Sequence, residues 1–239
     1  MSDCRVLTCE NADGDVGKLR VSSGSGVMNG SVCRVFLGRS VCVLLWLLLG
    51  AAAWGQDGQT VADVVQRAVQ AAGGREKLLV LFRMEERYAS GAVPGAVEKW
   101  SRRVSVLEAP KYWWVDGRDR GSEPAKYDVW AWTLGLLRDG GTVLERQSGS
   151  EESGRATVVL RASGTVQPAM DLHFDAQTYR LVRLDWRDDI YRFSDWREHD
   201  GAGYQAKTVI WKKGASQPWF HHEVVRLERL RELPAGLVR

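Results

Sequence analysis

From Leu81 onward the chain alternates apolar and polar residues in short runs, each closed by a turn, and this period of two leaves few folds open. The pattern is clearest late in the chain. Met170, Leu172 and Phe174 alternate, Asp175–Thr178 turns, and Val182, Leu184 and Trp186 alternate back behind Arg180. Residues 190–198, 204–213 and 219–230 repeat the scheme across turns at 200–203 and 214–218. Upstream, residues 81–90 place Phe82, Met84 and Tyr88 on one face. Residues 96–107 place Trp100, Arg102, Val104 and Val106 on one face and Lys99, Ser101, Arg103 and Ser105 on the other. Further strands are predicted at 110–115, at 127–134 with Trp130 and Trp132 on a shared face, at 142–146 and at 155–162. About eleven strands joined by short turns predict an up-and-down antiparallel sheet, curled far enough to bury one face.

A curled sheet needs something in its hollow, and residues 60–74 supply it. Val61, Val64, Val65, Ala68, Val69 and Ala72 fall on one face of a 3.6-residue helix. Thr60 is placed to cap it, Asp63 puts an acid in its first turn, and Gly73 and Gly74 stop it. Burying its four valines contributes roughly 6 kcal/mol at most, so a helix this short must pack on the sheet. Val61, Val64, Val65, Ala68 and Val69 are therefore predicted to form a plug. The fold class expected is α+β and mainly β: an unclosed antiparallel half-barrel with a plugging helix.

The first 55 residues read differently. Arg34 and Arg39 precede the apolar run Val41–Leu49, and small residues at Ala53 and Gly55 follow. Nine apolar residues are too few to span a bilayer, and the order of basic, apolar and small segments is that of a secretory signal peptide. Residues 28–55 are thus predicted to be the leader, cut near Gly55–Gln56. Residues 1–27 make an overlong extension to it, consistent with translation starting at Met28, and residues 56–239 form a single domain. All four cysteines precede the cut, which excludes disulfides, thiol nucleophiles and cysteine metal sites from the remainder. Removing five of 33 basic and four of 30 acidic residues leaves 28 against 26, without the basic excess of a nucleic-acid binder. The product is expected in the periplasm or outside the cell, with no transmembrane segment.

Catalytic motifs are missing: no G-x-S-x-G, no H-E-x-x-H and no phosphate-binding loop occurs. His221 and His222 are adjacent on a strand and point to opposite faces, so they cannot chelate one metal together. Neither a metal nor another cofactor is expected. The adjacent acids Glu85/Glu86, Glu151/Glu152 and Asp188/Asp189 diverge likewise and read as solvated pairs rather than a glycosidase couple. What remains is an apolar interior dense in tryptophan. The residues predicted to line a lipophilic cavity are Phe82, Met84, Trp100 and Val104 early in the sheet, and Trp113, Trp130 and Trp132 in its aromatic middle. Met170, Leu172, Phe174, Leu184, Trp186 and Trp196 continue the lining in the last third. Arg102, Arg183 and Arg192 interrupt apolar strands. They either meet an acid such as Asp185, Asp195 or Glu198, or reach the rim, where Arg102 and Arg183 would meet a lipid head group.

A secretory leader, a helix ending in Ala71-Ala72-Gly73-Gly74 and a long meander together resemble the periplasmic outer-membrane lipoprotein-carrier superfamily, the Lol carriers and their lipoprotein-sorting-like relatives. The stretches LHFDAQTYRLVR (172–183) and FSDWREHDG (193–201) are similar too, and the resemblance spans roughly residues 58–238. It implies an unclosed half-barrel with helices in its mouth and an apolar cavity holding the acyl chains of a lipoprotein, without covalent chemistry. Only one substantial helix is legible in this sequence, where the carriers use more. The expected function is an exported, monomeric, non-enzymatic envelope protein that binds or carries a lipid or lipoprotein acyl chain. An envelope interaction protein with a dry core and an aromatic partner surface is the alternative, and a hydrolase built on scattered His and Asp residues stands third.

Overall fold

A computed structural model describes residues 58–93 and 99–239. The predicted leader, its cut site, the 1–27 extension and residues 94–98, with the start of the strand predicted over 96–107, lie outside the described residues. Eleven strands form one antiparallel sheet: β1 Leu81–Ser90, β2 Ser101–Glu108, β3 Tyr112–Val115, β4 Arg118–Asp119, β5 Val143–Glu152, β6 Arg155–Ser163, β7 Met170–Asp175, β8 Leu181–Trp186, β9 Asp189–His199, β10 Ala202–Lys212 and β11 Pro218–Arg229. The order across the sheet is β4-β3-β2-β1-β11-β10-β9-β8-β7-β6-β5, so β4 and β5 are free edges and the barrel is not closed. Hairpins make most of the neighbours, as the alternation predicts. The exception is the pairing of β1 with β11, which stitches the first and last strands together in the middle of the sheet.

Two helices cover the concave face. The first, α1 Val61–Ala71, has the predicted start: the Thr60 hydroxyl accepts the Asp63 N–H at 3.2 Å, and the Asp63 carboxylate accepts the Thr60 N–H at 3.0 Å. Val64 and Ala68 are buried, while Val61, Val65 and Val69 pack half-buried at the flanks. Tyr179, in the β7–β8 turn, ties the helix down by bonding Gln59 and Arg67, and the Gly203 N–H of β10 donates to the Ala72 carbonyl at 2.9 Å. Gly73 follows at φ 102°, where a Cβ would stand 1.8 Å from the Gly201 carbonyl oxygen, so only glycine permits this close approach.

The second helix, α2 Lys126–Trp132, corrects the sequence reading, which made residues 127–134 a strand and found one helix. Its Val129, Trp130, Ala131 and Trp132 are all buried. A helix sunk this deeply shows no amphipathic stripe, and two tryptophans two residues apart imitate strand alternation. Pro124 just ahead of the helix is the start signal that the alternation masked. Trp132 packs edge-on against Phe82 at 5.8 Å and Tyr127 against Trp186 at 6.1 Å. The strand number still comes to eleven, because the short β4 replaces the lost one. The polar residues 148–152 continue β5 through an irregularity in its pairing with β6, and Ser153-Gly154 make the turn.

Beneath α1 the inward side chains of the sheet are fully buried. Met170, Leu172, Phe174 and Leu184 have 0% exposure, and they share one core cluster with Val64 and Ala68. A smaller cluster of Leu81, Val106 and Trp114 lies on the other side of the sheet. Trp113 joins the main core, so neighbouring Trp113 and Trp114 point to opposite faces, inward and outward respectively. Among the described residues, no helix is long and apolar enough to cross a membrane.

Candidate ligand cavity

Beneath α2 the packing is incomplete. A cavity of about 260 Å³ opens between that helix and the concave sheet. Met84, Leu107, Trp113, Val129, Trp132, Tyr191, Ile210 and Phe220 give it apolar walls, with Ala125 and Trp219 at the sides. Glu86, Arg103, Thr208, His222, Asp128 and Asp189 complete the lining.

Strand register explains why charged groups face inward here. Glu86 lies two residues beyond Met84 on β1 and therefore shares its face. On β11 the pairing jumps between Glu85↔Arg226 and Glu86↔Val224, a bulge that leaves Val225 over. That extra residue flips the alternation, so Phe220, His222 and Val224 face the same side as Leu227. Without it His222 would face outward. His221 does face the other way, against the ring of Trp100 at 6.4 Å.

Glu86 is buried yet ionised. It accepts Arg103 Nε at 2.8 Å, Ser105 Oγ at 2.6 Å and His222 Nε2 at 2.8 Å. Burial alone would raise its pKa, but the His222 and Arg103 bonds and charges outweigh it and hold the carboxyl at about 2. Trp113 Nε1 donates to Ser105 at 3.1 Å, linking the network to the cavity wall. The Arg103 guanidinium lies over the rings of Tyr88 and Trp113. Asp128 is the contrast. Among the described residues its buried Oδ1 has no hydrogen-bond partner, and desolvation pushes its pKa up to about 8 against the pull of Arg103. Burial and the nearby Asp128 and Asp189 charges push the Tyr191 phenol up as well.

Of the residues predicted to line a cavity, Met84, Trp113 and Trp132 line this one. Phe82, Trp130, Met170, Leu172, Phe174, Leu184 and Trp186 are core, packed with no space beside them that the cavity reaches. The faces of β2 are the reverse of those read from sequence. Ser105 and Leu107 pack inward beside Met84 and Phe82, whereas Val106, and by alternation Val104, Arg102 and Trp100, face the other side. Arg102 is exposed there, and Trp196 stacks half-buried with Arg180. Arg183 meets acids rather than a rim. It clasps Asp185 at 2.6 and 2.7 Å and reaches Glu152, which also takes Arg192 Nε at 2.6 Å. Sequence reasoning passed over Glu86, Arg103, Ser105, Asp128 and His222. The legible signal was Glu86, which occupies the gap between Met84 and Tyr88 on an apolar face. Among the described residues, no three His, Cys, Asp or Glu side chains gather as a metal site.

No family model and no curated protein sequence matches the chain. Its architecture is similar to that of several solved structures. A putative outer membrane lipoprotein-sorting protein domain from Vibrio parahaemolyticus aligns at 10% identity over 73% of this chain and 94% of that one, with a TM-score of 0.47. A LolA superfamily protein from Nitrosomonas europaea aligns at 11% identity over 71% and 94%, with a TM-score of 0.49. A DUF1329 family protein from Desulfovibrio piger aligns at 10% identity over 72% and 92%, with a TM-score of 0.41.

Proposed function

We propose that this protein is an exported, non-enzymatic binding or carrier module that takes a lipophilic ligand, a lipid or an acyl chain, into the cavity beneath α2. The observation that carries the reading is the contrast between the two halves of one concave face. Under α1 the inward side chains Met170, Leu172, Phe174 and Leu184 are fully buried against the helix, while under α2 seven aromatic and aliphatic residues of the sheet stand around an unfilled 260 Å³. Cavities that persist in a close-packed interior forfeit packing energy, and ligand-sized ones with apolar walls and a few polar groups are the usual form of a binding site. The volume suits one chain or one small amphiphile. The competing reading, an aromatic surface for a protein partner, finds little support. Among the described residues Trp219 is the exposed tryptophan, at 40%, and the other exposed large apolar residues are scattered valines. Export rests on the leader-like residues 28–55.

The test is to occupy the space from within. Ala125 sits at the cavity's side just ahead of α2 and is half-buried, so Ala125→Phe projects a ring into the gap without disturbing the sheet. Titration with the neutral fluorophore N-phenyl-1-naphthylamine is expected to give saturable binding to the wild type and at least tenfold weaker binding to A125F of matching melting temperature. Equal binding by both proteins would move the site elsewhere, and a wild type that ignores the probe would end the carrier reading.

A further inference from the structure

The ionisable groups around the cavity are matched in pairs, except one. Glu86 is answered by Arg103 and by the donors Ser105 and His222. Asp189 accepts Lys212 Nζ at 2.7 Å and Trp219 Nε1 at 3.0 Å. Asp128 Oδ1 is buried with no hydrogen-bond partner among the described residues, on a helix whose neighbouring Val129 and Trp132 form the cavity wall. A carboxyl oxygen buried without a partner destabilises the empty protein, and a bound group that completes it recovers that loss.

Resting on the reading of this cavity as a lipophile site, we infer that its ligand is an amphiphile with a primary amine head group, seated against the Asp128 carboxyl with its chain among the aromatic walls. The unpartnered oxygen gives the sign. Asp128 Oδ1 has no hydrogen-bond partner among the described residues, and an ammonium N–H supplies the missing donor together with the opposite charge. An anionic head group would meet Asp128 and Asp189 with Arg103 already engaged by Glu86. Trp113, Trp132, Tyr191 and Phe220 give the chain of such an amphiphile aromatic walls. The groups that set the Asp128 charge from the surrounding elements are Arg103 of β2, which favours ionisation, and Glu86 of β1 and Asp189 of β9, which oppose it. In the empty cavity desolvation keeps the acid protonated near neutral pH, so entry of an alkylammonium ion drives one proton from Asp128 to the solvent.

Three probes of one chain length separate this inference from the reading beneath it. Decylamine, decanol and decanoic acid are titrated calorimetrically at pH 7 into protein purified from the cells that produce it, and into Asp128→Asn, in two buffers of different ionisation enthalpy. The expected order is decylamine, decanol, decanoate, with decylamine at least tenfold tighter than decanol and releasing a proton that decanol does not. D128N should hold decanol as the wild type does and lose both the amine preference and the proton release. Decanoate binding tightest, or an amine preference that survives in D128N, overturns the inference while the cavity stands. Failure of all three probes removes the cavity reading and the inference together.

Discussion

Val64→Asp is expected to leave the chain unfolded at 25 °C. Val64 is 0% exposed on the face of α1 that meets the core, among apolar side chains that offer a new carboxylate no hydrogen bond. Burying an unpaired charge there costs several kcal/mol, and the valine's own contribution of about 2 kcal/mol goes with it. Against a total stability of about 5–15 kcal/mol, the sum reaches the level at which a domain of this size is lost. The neighbouring Val65→Asp is the comparison, since Val65 is only half-buried and its carboxylate can lean to solvent. Near-ultraviolet circular dichroism should show V64D without fixed tertiary packing and V65D folded but less stable. A V64D protein that melts within a few degrees of the wild type would mean that α1 does not plug the sheet.

Removing Glu86 is expected to cost about 3–5 kcal/mol, because Glu86→Leu strands the Arg103 guanidinium and the Ser105 and His222 donors that converge on it. For a domain of this length that is a fall of roughly 10 °C in melting temperature. The same carboxyl imposes a pH dependence. Its folded pKa of about 2 lies below the ordinary 4.5, so its contribution of roughly 3 kcal/mol is complete above pH 4.5 and is lost as pH falls from there toward 2. Asp128 runs the opposite way: its folded value of about 8 lies above the ordinary 3.8, so stability is highest below pH 4 and declines as pH rises toward 8. The two together put the most stable pH of the empty protein on the acid side of neutrality. Thermal melts from pH 3 to pH 9 should show that maximum, and Glu86→Gln should flatten its acid limb. An acid limb unchanged in E86Q would show that Glu86 is not the charged centre of this network.

The sheet was legible because its alternation is regular wherever one face meets the core and the other meets water. Residues 170–186 illustrate this: Leu172, Phe174, Leu184 and Trp186 point inward as their spacing requires. Two features defeated the same rule. In α2 four consecutive residues, Val129–Trp132, are all buried, so they carry no helical stripe to read. In β2 both faces are mixed, with Arg102 and Val104 against Arg103 and Ser105, and polarity alone chose the wrong one as outer. The polar end of the cavity depends on contacts between residues more than a hundred positions apart, such as Glu86 with His222, and on the bulge at Val225 that turns His222 inward. Neither leaves a mark in local sequence. Glu86 did leave one, as an acid in an apolar row, and it is the residue from which the site could have been reached.

The central claim is that the space beneath α2 receives a lipophile while the space beneath α1 does not. Crystals soaked with 10-bromodecanol report this through the anomalous scattering of bromine. A peak enclosed by Met84, Trp113, Trp132 and Ile210 is the predicted result. Bromine found only on the outer face, or nowhere in crystals of a protein whose cavity is closed by side chains, would contradict it.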